Sequence, residues 1–106
     1  DNQGARGLWN KSTLYREALN VPMILRGPGI PAGRVCGTNV NLVDVAPTVL
    51  RAAGLPVPEA LPGDALQDLA AMPDDPSRVG FSEYHAVGSP SAAYALWQGR
   101  WAYHHY

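Results

Sequence analysis

The chain has 106 residues, at most one domain, and 46% of them are hydrophobic, enough for a modest core. Charged residues make up only 16%, below the usual share of about 25%, and the net charge is -1. This balance carries neither the basic footprint of a nucleic-acid binder nor a charge run for a membrane surface, and no apolar run reaches the length of a membrane span.

The sequence opens on a loop, Asp1 to Thr13, with Gly4, Gly7 and Trp9 ahead of Lys11. It begins with no lead-in, as a piece of a longer chain would. Ser12 or Thr13 is placed to cap a short helix over Leu14 to Leu19, and Asn20 and Pro22 stop it. Val21-Pro22-Met23-Ile24-Leu25 is a continuous apolar run, the pattern of a strand buried on both faces in an α/β sheet. Arg26 to Gly33 is a loop punctuated by Gly-Pro and Pro-Gly pairs, and Val35 to Asn41 resumes an extended path.

Leu42, Val45, Ala46, Val49, Leu50 and Ala53 then recur at helical spacing. The helix is expected over about residues 44–53, with Asp44 as N-cap, Pro47 in the first turn, Gly54 past the end and Pro56 blocking continuation. Leu55 to Arg78 is a proline-rich surface connection with one helical turn near 65–71. Val79 to Tyr84, Ser91 to Trp97 and Trp101 to Tyr106 read as three strands of an antiparallel meander, with Gly99-Arg100 as a turn. The fold class is therefore α/β, an α+β fragment with an α/β front half and antiparallel strands behind.

Chemistry is sparse. Cys36 is the single cysteine, so no internal disulfide forms, and the compartment is left open between cytoplasm and periplasm. It lies in an extended stretch with no general base beside it to activate the thiol, and a free cysteine of this kind packs as a small hydrophobe. No Gly-x-Ser-x-Gly elbow occurs. His104 and His105 are adjacent on a strand and point to opposite faces, so they do not chelate one ion together. Asp1-Asn2 offers oxygen ligands only as a terminal pair, and Asp74-Asp75 reads as a solvated loop. Lys11 has two readings: a solvated lysine, or a cation that meets an anion beside the start of a helix. His85, at the end of a strand near Gly88, reads either as a structural histidine or as a weaker substrate contact.

Four stretches together resemble a known family. They are Gly4-Ala5-Arg6-Gly7-Leu8-Trp9-Asn10-Lys11-Ser12-Thr13, then Val21 to Gly29, then Val40 to Pro56, and finally Phe81-Ser82-Glu83-Tyr84-His85 with Gly99-Arg100-Trp101. In this order they look like the sulfatases of the alkaline-phosphatase superfamily, choline-sulfatase-like and arylsulfatase-like enzymes of bacteria among them. The resemblance implies a sulfuric ester hydrolase whose nucleophile is a formylglycine made within a Cys/Ser-x-Pro-x-Arg motif. It also implies a divalent cation, calcium, held by acidic and amide or imidazole side chains. The family lysine that contacts the sulfate oxygens maps onto Lys11, as a charge-stabilising catalytic and substrate-binding residue.

Cys36 is followed by Gly37-Thr38 and does not fit the formylglycine motif, and the family's metal motif aligns ahead of Asp1. Asn10 stands where an aromatic or glycine is common, and Ala102 where a lysine is usual. By this resemblance residues 1–56 are the C-terminal part of a catalytic α/β domain, 57–78 a connection, and 79–106 the start of a small antiparallel C-terminal subdomain. The implied partners are a small-molecule sulfate ester and the rest of the sulfatase chain, with no nucleic acid and no membrane. A homo-oligomer stays open. Two alternatives also stay open: a phosphonate or phosphate monoesterase of the same superfamily, and a non-catalytic assembly module that pairs through residues 79–106.

Overall fold

The computed structural model describes residues 1–11, 13–85 and 91–106. A 3-10 turn at Ala5–Gly7 precedes α1 (Arg16–Leu19). A second 3-10 turn, Leu42–Asp44, runs directly into α2 (Val45–Ala52), and α3 (Leu66–Ala71) follows. Strands β1 (Gly80–Tyr84), β2 (Ala93–Gln98) and β3 (Trp101–His105) form one antiparallel sheet in the order β1-β2-β3. The meander expected from the last third is present. Gly99, at φ 55, takes the first position of its two-residue hairpin, the place where a II′ turn requires positive φ.

Strand alternation divides the sheet into two faces. Ala93, Ala95 and Trp97 share one face with Tyr84 and His104, and Leu14 and Leu19 pack on it. Ala95 is fully buried there. Two alanines side by side leave room for Leu14, and this contact ties the opening loop to the sheet. On the other face Phe81, Leu96, Trp101 and Tyr103 are exposed. The two adjacent histidines do face opposite ways: His104 meets Trp97 edge-on, and His105 stacks on Tyr94.

α2 is the helix expected from its spacing, and it ends in a Schellman motif. The Gly54 N–H donates to Arg51 C=O (3.0 Å) and the Leu55 N–H to Leu50 C=O (2.9 Å). Gly54 sits at φ 70, which glycine adopts without a Cβ penalty. α3 stands where one helical turn was expected. It lies against α2 with Leu66 and Leu69 buried. Its first-turn Leu66 N–H donates to the Thr48 hydroxyl of α2 (2.8 Å), so one helix caps its neighbour. Arg51 and Asp68 form an ion pair across the two helices.

Three local expectations are corrected. Val21 to Leu25 forms no strand: no β-partner lies beside it among the described residues, and Val21 and Ile24 are 61% and 92% exposed. Met23, Ile24 and Leu25 instead edge an apolar groove of about 340 Å³ with Cys36, Val40 and Leu69. A strand needs a neighbour to take its backbone hydrogen bonds, and the sheet built here uses only residues from 80 onward. The Asp44 carboxylate does not cap α2, because it is committed to Arg78 and to loop N–H groups. α1 has Tyr15 at its N-cap position with no side-chain cap. The Thr13 hydroxyl donates to Asn2 Oδ1 instead (3.3 Å), and Ser12 lies outside the described residues.

Candidate functional site

The opening loop is closed on itself by backbone hydrogen bonds. Asn2 N–H donates to Asn10 C=O (2.9 Å), Gly4 N–H to Leu8 C=O (2.8 Å) and Ala5 N–H to Asn2 C=O (2.8 Å). Gln3, Arg6 and Asn10 all take positive φ (46, 58 and 70), as do Gly4 and Gly7. Five left-handed residues in eight positions make the chain double back on a short path. A Cβ on Gly4 would lie 3.6 Å from the Trp9 ring, so that ring covers the turn.

Asn2 is the buried centre of this loop, at 3% exposure. Its side-chain amide donates to Asn10 C=O (2.8 Å), the carbonyl that also accepts its backbone N–H. The outer side of the loop is fixed by Arg6, whose guanidinium lies over the Tyr15 ring (4.3 Å) and pairs with Glu17 (3.8 Å).

Lys11 leaves this framework pointing into solvent, with its side chain 79% exposed. Its ion pair to Asp1 Oδ1, at 4.0 Å, sits at the outer limit of such contacts and leaves the ammonium open. The arrangement is a fixed backbone carrying a free cation.

His85 stands just past β1. Its Nε2 lies 3.4 Å from Glu83 Oε2, and its ring meets Tyr94 edge-on at 5.7 Å. The side chain is 55% exposed. Gly88, which sequence reading set beside it, lies outside the described residues. Lys11 pairs with Asp1, whereas His85 meets Glu83 and Tyr94, so these contacts do not bring the two together.

The resemblance implies a metal and a formylglycine nucleophile. Among the described residues no group of three or more His, Cys, Asp or Glu is placed to hold a metal ion. The Asn2 amide is turned inward onto Asn10 and Thr13, and Asp1 faces Lys11. The Cys36 thiol donates to Leu69 C=O (3.7 Å), in the apolar groove. These side chains fit neither a metal centre nor a formylglycine site.

A buried, charged cluster lies elsewhere. Asp44 is fully buried and accepts from Arg78 Nη2 (2.8 Å), Asn41 N–H (2.7 Å) and Asp64 N–H (2.9 Å). Burial pushes its carboxyl up, but the Arg78 hydrogen bond, the two N–H donors and the Arg78 charge outweigh this and hold it below the usual carboxylate value. The Asp44 hydrogen bond raises the Arg78 guanidinium in turn. Sequence reading missed both this pair and the role of Asn2. A glycine-rich loop signals that something inside must hold it, but spacing does not say which side chain.

Residues 4–106 match the family described as N-sulphoglucosamine sulphohydrolase, C-terminal. The chain is 35% identical over 101 residues to arylsulfatase K of Rattus norvegicus, across 88% of this chain and 18% of that protein. It is 33% identical over 101 residues to arylsulfatase K of Homo sapiens, across 88% of this chain and 19% of that one. It is 33% identical over 105 residues to choline-sulfatase of Rhizobium meliloti, across 97% of this chain and 20% of that protein. The likeness therefore extends beyond bacterial enzymes to vertebrate ones. The chain spans about a fifth of the length of the curated relatives it matches. No solved structure matches it. With the family match running from the Lys11 loop through the last strand, the chain belongs to the sulfatase family, as a stretch of its C-terminal part.

Proposed function

We propose that this chain is one wall of the active site of a sulfuric ester hydrolase, which converts a sulfate ester and water to an alcohol and sulfate. The observation that carries the proposal is Lys11: an open ammonium on a loop closed by a buried asparagine, inside the stretch that matches the sulfatase family.

An ammonium is a compact charge with three donors, suited to a tetrahedral oxyanion. Charge shifts among the sulfuryl oxygens as the ester bond breaks, and a cation already held in place stabilises it without reorganising. Lys11 takes that role, and its loop holds it ready. His85, steadied by Glu83 and Tyr94, is the second substrate contact. The formylglycine nucleophile and the divalent cation, calcium, belong to the rest of the sulfatase chain. Bound there, the cation would supply positive charge at the sulfate oxygens. The isolated 106 residues accordingly do not turn over. The exposed apolar side chains of Val21, Met23 and Ile24 support a larger protein that covers them.

The test is Lys11→Ala in the whole protein, assayed on aryl sulfate and aryl phosphate esters. Turnover of the sulfate ester should fall by about 10²-fold or more. Unchanged turnover on both esters returns Lys11 to a solvated lysine.

A further inference from the structure

We infer that Asn2 is a positioning residue for Lys11, an inference that rests on the sulfate contact proposed for that lysine. Asn2 sits nine positions before Lys11, and its side chain holds a residue on each side of it, Asn10 by its backbone carbonyl and Thr13 by its hydroxyl. The amide donates to the carbonyl of Asn10, immediately before Lys11, at 2.8 Å. The side-chain oxygen accepts from the hydroxyl of Thr13, two positions after Lys11, at 3.3 Å. A second bond, from the Asn2 backbone N–H, reaches the same Asn10 carbonyl at 2.9 Å.

The lysine is thus clamped at its root while its tip stays free. Asn10 is in the left-handed region at φ 70, so the chain turns sharply just before Lys11. Asparagine tolerates that conformation, and the two hydrogen bonds its carbonyl accepts from Asn2 fix the direction of exit. The Lys11 side chain has no such support, being 79% exposed with one distant carboxylate at 4.0 Å. Where its ammonium lies therefore depends on the backbone, and the backbone depends on Asn2. At 3% exposure Asn2 does not itself reach a substrate, so its effect passes through Lys11. Small displacements of a positioned group are costly, with about 10²-fold lost for roughly 1 Å.

The experiment is a double-mutant cycle on the whole protein, with p-nitrophenyl sulfate as substrate. Asn2→Ala should lower kcat/KM by about 10-fold when Lys11 is present, chiefly through kcat. In a Lys11→Ala background the same change should have almost no further effect, because nothing is left to position. An equal loss in both backgrounds would make Asn2 a general loop prop and overturn the inference, while the Lys11 reading would stand. A Lys11→Ala variant with full activity would remove the reading and this inference with it. Should Asn2→Ala not fold, Thr13→Val replaces it in the cycle, since that change removes one arm of the clamp and keeps the buried amide. The same non-additivity with Lys11 is expected, and additivity overturns the inference.

Discussion

Arg78 and Asp44, 34 residues apart, meet in a two-pronged ion pair, with Nη2 to Oδ1 at 2.8 Å and Nη1 to Oδ2 at 3.1 Å. Asp44 ends the 3-10 turn that leads into α2, and Arg78 lies two positions ahead of β1. The same guanidinium reaches Asp64 at 3.0 Å and also donates to Asn39 C=O. One side chain thus joins the front half, the connection and the sheet. A flat fork with several donors suits this junction, and a lysine could not reach all its acceptors.

Removing Asp44 should be the most damaging single change to the fold. Asp44→Ala leaves Arg78 facing a void with only Asp64 for compensation, and two backbone N–H groups lose their acceptor. A loss of about 3 kcal/mol is expected. Urea unfolding checks it, and a midpoint equal to the wild type would make the pair dispensable. Arg78→Lys should cost less, because the charge stays while the fork is lost.

The pair also sets an acid limit. The Asp44 carboxyl is depressed in the folded state, so its contribution is complete above the ordinary carboxylate value of about 4. It is lost as pH falls through the lower, folded value. Asp75 acts in the same sense, its carboxyl lowered first by the Ser77 hydroxyl and then by the Ser77 N–H. Stability should therefore drop below about pH 4, and Asp44→Asn should be less stable at neutral pH with a flatter acid limb. Thermal melts from pH 6 to pH 2 would show this, with parallel curves as the contrary result.

Thr48→Val should separate α3 from α2. The Thr48 hydroxyl donates to Asp44 C=O (2.6 Å) and accepts from Leu66 N–H (2.8 Å). Valine keeps the shape, leaves the Leu66 N–H buried without its acceptor and removes the hydroxyl donor to Asp44 C=O, which keeps its place as the N-cap carbonyl of α2. The cost should be about 1–3 kcal/mol. Hydrogen exchange at the Leu66 amide should speed up more than exchange within β2, and equal acceleration at both would argue for global weakening instead.

Gly63→Ala should be destabilising by about 1–3 kcal/mol. Gly63 has φ 95, and a Cβ there would lie 2.7 Å from Val43 C=O and 2.9 Å from Asp44 Oδ1. Backbone cannot yield as a side-chain tip can. Gly27→Ala, where a Cβ meets nothing within 4 Å, is the matched control and should be close to neutral in the same unfolding assay.

Elements defined by local pattern were legible in the sequence. α2 follows from apolar spacing and its Gly54 stop, and the meander follows from three strand-like runs with short turns. What escaped depends on partners far along the chain. Asp44 has the residue type of an N-cap, but a guanidinium 34 positions later claims its carboxylate. Val21 to Leu25 has a buried strand's composition, yet composition does not provide the neighbour that would pair with it. At the candidate site Lys11 could be found from the Gly-Trp loop before it. Asn2 could not, since nothing in a terminal Asp-Asn pair announces that its amide folds back to hold residues 10 and 13.

The side-chain amide of Asn41 makes the two rims of the sheet unlike. It donates to Val79 C=O (3.1 Å) and accepts from Phe81 N–H (2.8 Å), as the N–H and C=O of one residue in a parallel neighbour would. Asn39 reinforces the entry to β1 by donating to Arg78 C=O (3.0 Å) and Trp97 C=O (3.2 Å). The start of β1 is thereby plugged by polar side chains, a means of discouraging strand addition. β3, on the far side, has β2 as its neighbour and no second strand among the described residues. The two rims are therefore chemically unlike: side-chain amides occupy the ladder positions where β1 begins, while Trp101–His105 has only β2 beside it among the described residues.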